Sequence, residues 1–366
     1  MSGIREFLAG LGRGLTESSR LSLMVCLVGA LGMSAFFMFA SPRLLAAGYR
    51  VIPGIAYADD DLFAFMEATR SSAAREPGRA AVFIGSSSMR EAQHSREYAA
   101  YRFREHGLDI EPVDLTTSSQ PFWHGISLAE EAVCQRGGVI FLGVNLARFV
   151  NDPMTYRRDS AIDPELQTPA YARSLTMRAA QFEQAVVSGT RGWLLRLPTE
   201  IAKVRGTVPE DRKVATRFDP VDGRHHYGHL PVPDEAMVAK QVAAYLKMLR
   251  DAGEFHRDEV GQMILALAMR LEKCAETAIV LTEPPINPLV MQAPEMQGWQ
   301  ADHDRFLNQL AARIDAERLD INASLPLQPD WFHDISHLRD RQAMKIVTDQ
   351  FARKLAEIAA ARGWKQ

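Results

Sequence analysis

The sequence predicts an α/β fold: a parallel sheet flanked by helices, with a helical insertion and an N-terminal transmembrane helix. Three observations carry this expectation. Short apolar runs that stop at glycine or other small residues alternate with helix-length segments, the pattern of strand–helix–strand units. The alternation breaks off at about residue 149 and resumes near residue 275, which marks an insertion. Leu21 to Ala40 is twenty residues without a charge, the length an α-helix needs to cross roughly 30 Å of hydrocarbon.

The elements follow in order. Residues 1–20 read as a cytoplasmic N-terminus carrying Arg5, Arg13 and Arg20, and residues 21–41 as the anchor. Arg43 and Arg50 follow it, so the charge bias towards an inside N-terminus is modest. A cleaved signal peptide, whose apolar core is usually shorter, and a buried core helix, which is seldom apolar on every face, are the competing readings; anchor and signal alike export the rest of the chain. Residues 42–78 supply a tether and a first helix, capped by Asp60 or Asp61 and carrying Leu62, Phe63, Phe65 and Met66.

The main domain occupies residues 79–366. Ala80 to Ile84 reads as a strand, Gly85 and Ser86 as a tight turn, and Met89 to His106 as a helix. Leu108 to Leu115 is a second strand; Pro121, whose fixed φ suits a first helical turn, opens a helix that ends near Gly137 and Gly138. Val139 to Leu142 is a third strand, apolar throughout. The insertion, at about 149–275, holds helical stretches near Glu183–Lys203, Asp234–Arg250 and Val260–Lys273, with a polar loop from Gly206 to Pro233. Ala278–Leu281 as a strand, a helix from about Gln300 to Ala316, a short Leu319–Ile321 strand and a closing helix from about Arg341 to Ala361 complete the sheet.

Composition narrows the function classes. The 366 residues, 47% of them hydrophobic, are ample for a packed core. The 42 basic and 45 acidic residues are interspersed, with no basic block to follow a phosphate backbone, so nucleic acid is not an expected partner. Cys26, Cys134 and Cys274 have no metal-ligand spacing, and a structural zinc site is dropped. The run Arg224-His225-His226-Tyr227-Gly228-His229 has no carboxylate at ligand spacing and reads as a solvated loop, so no metal and no cofactor are expected. Trp123 and His124 suit either a sugar-stacking cleft or a half-buried core position.

Three short motifs carry chemistry. In Gly85-Ser86-Ser87-Ser88 the chain bends sharply between a strand and a helix, at the sheet edge where open α/β folds bind ligands. A serine there can act as a nucleophile, and the N–H groups of the following helix can hold an oxyanion; such a run also makes an ordinary helix cap. Near the C-terminus, Asp330-Trp331-Phe332-His333-Asp334-Ile335-Ser336-His337 contains the D-x-x-H spacing twice. An aspartate bonded to one imidazole nitrogen leaves the other free to take a serine proton. Asp330 with His333 and Asp334 with His337 both have the spacing; the second pair is preferred because a closing helix follows it directly. In Gly143-Val144-Asn145, at the end of the third strand, a side-chain amide can donate to the same oxyanion.

Gly85-x-Ser87, Gly143-x-Asn145 and Asp334-x-x-His337 together resemble blocks I, III and V of the SGNH hydrolase superfamily. The form Gly85-x-Ser87-x-x-Arg90 is closer to the membrane-anchored branch, with the D-alanine transfer protein of teichoic-acid D-alanylation and the proteins of alginate O-acetylation, than to the G-D-S-L form of the secreted esterases, and the Ser118-Ser119-Gln120 to Leu128 stretch is faintly similar as well. The resemblance covers about residue 80 to the end, less the insertion. It implies a flavodoxin-like sheet, with Ser87, His337 and Asp334 as catalytic residues and the N–H groups of Ser87 and Thr116 and the amide of Asn145 as oxyanion hole. Two departures stand out: Thr116 occupies the place of the block II glycine, and Leu146 that of the aspartate beside the block III asparagine.

The function this implies is an exported serine O-acyltransferase that acylates a cell-surface polysaccharide through a Ser87 acyl-enzyme. It would sit in the inner membrane as a single-pass protein with its domain in the periplasm or outside the cell, supplied by a multi-pass MBOAT-type partner. An esterase or deacetylase, in which water replaces the sugar hydroxyl, is the alternative, and a glycan-binding or scaffold subunit is a third reading. Cys134 and Cys274 each precede a strand, and those strands are neighbours in a flavodoxin-like order. Export permits a disulfide between them, although two unpaired buried thiols are the simpler expectation.

Overall fold

The computed structural model describes residues 78–117, 120–150, 217–219, 224–226, 233–253 and 255–364, with helical positions 28–29, 32, 64, 67–68 and 71–72. The expected membrane segment (all but 28–29 and 32), the tether, Leu62, Phe63, Phe65 and Met66, and the Glu183–Lys203 helix lie outside the described residues. Among those described, no helix is long and apolar enough to cross a membrane.

Five short strands form one all-parallel sheet: β1 (Ala80–Ile84), β2 (Glu111–Asp114), β3 (Gly138–Gly143), β6 (Thr277–Glu283) and β7 (Glu317–Asp320), in the order β2-β1-β3-β6-β7. Two further strands, β4 (Arg217–Asp219) and β5 (Arg224–His226), pair antiparallel apart from it. The three central strands are buried on both faces, which is why they read as unbroken apolar runs rather than alternating ones. Val82 lies opposite Val113 on one side and Ile140 on the other.

The helices are α1 (Ser87–Glu91), α2 (Arg96–Glu105), α3 (Phe122–Val133), α4 (Glu235–Asp251), α5 (Arg257–Leu271), α6 (Pro288–Met291), α7 (Pro294–Ile314), α8 (Ile321–Ser324) and α9 (Arg341–Ala361). One face of the sheet is covered by α3, α5 and α7, whose Ile126, Ile264 and Leu307 pack with Val82, Ile140 and Leu281. The other is covered by α2 and α9, where the Phe83 and Phe141 rings stack 5.0 Å apart and Phe351 meets both edge-on.

Several elements differ from the expectation. The single helix expected over Met89–His106 is two, because the Ser95 hydroxyl accepts the Tyr98 N–H and starts α2 afresh. The helix expected at Gln300 begins six residues earlier, with Pro294 at its first position. The helix expected inside the insertion at Val260–Lys273 is α5, a covering helix of the sheet. The His256 N–H donates to the Phe149 carbonyl at 2.8 Å, so the chain leaves and rejoins the sheet layers through one neck. Cys134 and Cys274 form a disulfide, correcting the expectation of two thiols: β3 and β6 are neighbours, and the Ala275 N–H donates to the Cys134 carbonyl at 2.8 Å, which brings the two Cα atoms to 4.5 Å. The loop expected between Gly206 and Pro233 contains the β4–β5 pair; Pro220-Val-Asp-Gly223, a turn-forming run between them, was the signal for it.

Candidate active site

In this strand order β1 has β2 on one side and β3 on the other, so the connections after β1 and β3 part and leave a crevice at the carboxyl edge of the sheet. Gly85 makes the bend out of β1. Its φ of 152° and the 2.9 Å that a Cβ would leave to Met89 exclude any side chain there. Ser86 is extended, and Ser87 opens α1 half-buried at the mouth of the crevice.

The opposite wall is the loop before α9. Its ends are fixed by an antiparallel backbone bridge between Phe332 and Leu338, both of them buried, and by the His333 N–H donating to the His337 carbonyl at 2.8 Å. From the β6 side, the Asn287 N–H donates to the Ile335 carbonyl at 2.9 Å. Held in this way, His337 places Nε2 2.8 Å from Ser87 Oγ and Nδ1 2.7 Å from Asp334 Oδ2. With Nδ1–H donating to the carboxylate, Nε2 accepts from the serine hydroxyl.

Asp334 is itself pinned, since its Oδ1 accepts the Ser336 N–H at 2.8 Å and the His337 N–H at 2.9 Å. Burial pushes its carboxyl up, but the bonds from His337 and from these two N–H groups outweigh burial and hold it below the ordinary carboxylate value. The imidazole on Ser87 therefore belongs to the second D-x-x-H pair; Asp330, of the first, lies exposed in a 3-10 turn.

The three expected oxyanion donors fare differently. Ser86, the N-cap of α1, makes no side-chain capping bond, and the Ser87 N–H belongs to the first turn of that helix, where backbone donors have no intrahelical acceptor. Asn145 follows β3, buried, with Nδ2 3.5 Å from Ser88 Oγ and Oδ1 without a hydrogen bond. Thr116 has its N–H and hydroxyl both donating to Asp114 Oδ1, at 3.0 and 2.6 Å, because an aspartate two residues earlier closes a local turn on it. In this arrangement its N–H is not offered to an oxyanion.

Other singled-out residues settle into the structure. His124 is fully buried, and burial pushes its imidazole down to about 3, so it belongs to the core rather than to a cleft. The backbone of β5, from the expected solvated loop, runs alongside α1. The carboxylates of Glu283, Asp304 and Asp320 lie together, but Arg318 donates to Glu283 and, at 2.8 Å, to Asp304, so a guanidinium fills the position a cation would take. Sequence reading did not single out the burial of Gln120 and Arg148, although a charged residue inside the apolar run Leu146-Ala-Arg-Phe-Val150 is a signal of a buried polar contact. No protein-family model matches this chain, and no curated protein matches it.

Proposed function

We propose that this chain is a serine O-acyltransferase of the SGNH-hydrolase type, exported and membrane-anchored, which acylates a hydroxyl of a cell-surface polysaccharide. The observation that carries the reading is the unbroken relay from Ser87 Oγ through His337 to Asp334, with bonds of 2.8 and 2.7 Å, at the carboxyl edge of a parallel sheet whose order matches the flavodoxin-like pattern. The Cys134–Cys274 disulfide agrees with an oxidising compartment.

In the proposed reaction His337 Nε2 takes the Ser87 proton as Oγ attacks the acyl carbon. The Ser87 N–H and the Asn145 amide carry the oxyanion, and the leaving group departs with the proton from His337. An acceptor hydroxyl, deprotonated in turn by His337, then attacks the acyl-enzyme, and His337 returns that proton to Ser87 Oγ as the bond to the acyl carbon breaks. The resemblance implies a multi-pass MBOAT-type protein as supplier of the acyl group.

The occupied Thr116 N–H favours a second reading, a weakly catalytic glycan-binding or scaffold subunit, because it leaves the oxyanion two donors instead of three. The two separate in one assay. The purified full-length chain is given a chromogenic acetyl ester, with and without an acetyl-accepting oligosaccharide, alongside Ser87→Ala. Ser87-dependent release that ends on the oligosaccharide supports transfer, and release to water alone indicates an esterase. Turnover unchanged by Ser87→Ala sinks the acyl-enzyme.

A further inference from the structure

We propose that Gln120 and Arg148 are positioning residues: a buried brace that ties together the three strand-end connections presenting Ser87 and Asn145. The inference rests on the acyl-enzyme reading above. Gln120 Oε1 accepts the Gly85 N–H at 2.8 Å and its Nε2 donates to the Leu115 carbonyl at 2.6 Å, so one side-chain amide links the connection after β1 to that after β2. The Gln120 carbonyl accepts from Arg148 Nη2 at 2.9 Å, while Arg148 Nη1 donates to the Gly143 carbonyl, which adds the end of β3. Gly85 and Gly143 lie two residues before Ser87 and Asn145 respectively, so the brace acts on the backbone that sets both oxyanion donors.

The chemistry of the brace is costly for stability alone. Gln120 is 3% exposed and Arg148 9%. Arg148 lies with its guanidinium carbon 3.9 Å from the centre of the Phe122 ring, and among the described residues no carboxylate pairs with it and its Nε has no hydrogen bond. Burial pushes its guanidinium down to about 9, which leaves it a cation at neutral pH. An apolar side chain of similar volume generally fills such a position at lower cost than a buried cation without a counter-charge. What the arginine adds is direction: it orients two carbonyls at the edge of the crevice and holds positive potential next to the connection that carries Asn145.

Gly125 supplies an independent handle. It lies in α3, where alanine would favour the helix, yet a Cβ there would stand 2.3 Å from Gln120 Oε1 and displace the amide from Gly85. Gln120→Ala and Gly125→Ala therefore perturb the same bond from opposite sides. Each is expected to lower kcat for acetyl-ester turnover by about 30-fold, with KM changed less than about threefold and the shape of the pH–rate profile retained. The double variant is expected to match Gln120→Ala, because no Oε1 remains for the new methyl to strike.

A purely structural role predicts instead that the losses multiply in the double variant and follow the loss of folded protein. Kinetics are therefore normalised to the folded fraction measured by circular dichroism, and Gln120→Glu, which keeps an acceptor for Gly85 but not the donor to Leu115, serves if Gln120→Ala does not fold. A kcat within about threefold of the parent in Gln120→Ala or Gly125→Ala, or a multiplicative double variant, overturns the brace while Ser87→Ala remains inactive. Full turnover by Ser87→Ala overturns the acyl-enzyme reading and the brace with it.

Discussion

Asp334→Asn tests the relay where its geometry is most constrained. Asp334 Oδ1 accepts two backbone N–H groups, at 2.8 and 2.9 Å, and Oδ2 faces His337 Nδ1 at 2.7 Å. In the variant the amide oxygen keeps the two N–H bonds, which turns the NH2 group towards Nδ1. An amide nitrogen only donates, so Nδ1 becomes the acceptor and the imidazole proton moves to Nε2, 2.8 Å from Ser87 Oγ, where a base is needed. Flipping the amide instead gives up two hydrogen bonds, at about 1 kcal/mol each, and sets NH2 against two N–H donors, with a further cost of about 1–3 kcal/mol. The sum is about 3–5 kcal/mol, a loss of about 10²–10⁴ in kcat, with the effect of the same exchange in a serine protease triad, about 10⁴, at its upper end. Acetyl-ester turnover by the folded full-length chain reads it directly. Loss of less than about tenfold would mean that the carboxylate does not set the tautomer, and the derivation would be refuted.

Other outcomes follow from the same contacts. Asn145→Ala should lower kcat by about 10²–10³ with little change in KM if the amide carries transition-state charge, and a change confined to KM would place it in substrate binding instead. Replacing Cys134 and Cys274 by serine opens a loop of sequence separation 140 and should cost about 3–5 kcal/mol of stability; a chemical-denaturation midpoint unmoved by the exchange would contradict the pairing. His303, buried and donating Nε2–H to the Val144 carbonyl at 2.7 Å, is pushed by burial down to about 4 from 6.5. Its folded value lies below the unfolded one, so the unfolded chain binds the extra proton: the contribution is complete above about pH 6.5 and falls away towards about pH 4, by up to roughly 3 kcal/mol. Urea midpoints measured across that range should drop with pH in the parent and drop less in His303→Gln; equal slopes would remove His303 as the cause.

The parts that were legible in the sequence are those whose signals are local. A strand buried on both faces is apolar without interruption, so β1, β3 and β6 could be read from short windows, and Pro121, which stands as the N-cap of α3, marked where that helix starts. The relay was legible because D-x-x-H and G-x-S are each local, even though 250 residues separate Ser87 from His337. What was not legible depends on contacts between distant segments. Val260–Lys273 has the composition of any amphipathic helix, and only the bond from His256 to Phe149, closing the neck, assigns α5 to the sheet rather than to the insertion. The state of Thr116 depends on whether Asp114 turns back on it, which spacing permits but does not require. Gln120 lies in a faintly similar stretch, but its function in the brace depends on Gly85, Leu115 and Arg148 arriving at one point from three connections. Sequence motifs thus mark the groups that would touch the substrate, whereas the groups that hold them in place become visible only when buried polar contacts are followed from one connection to the next.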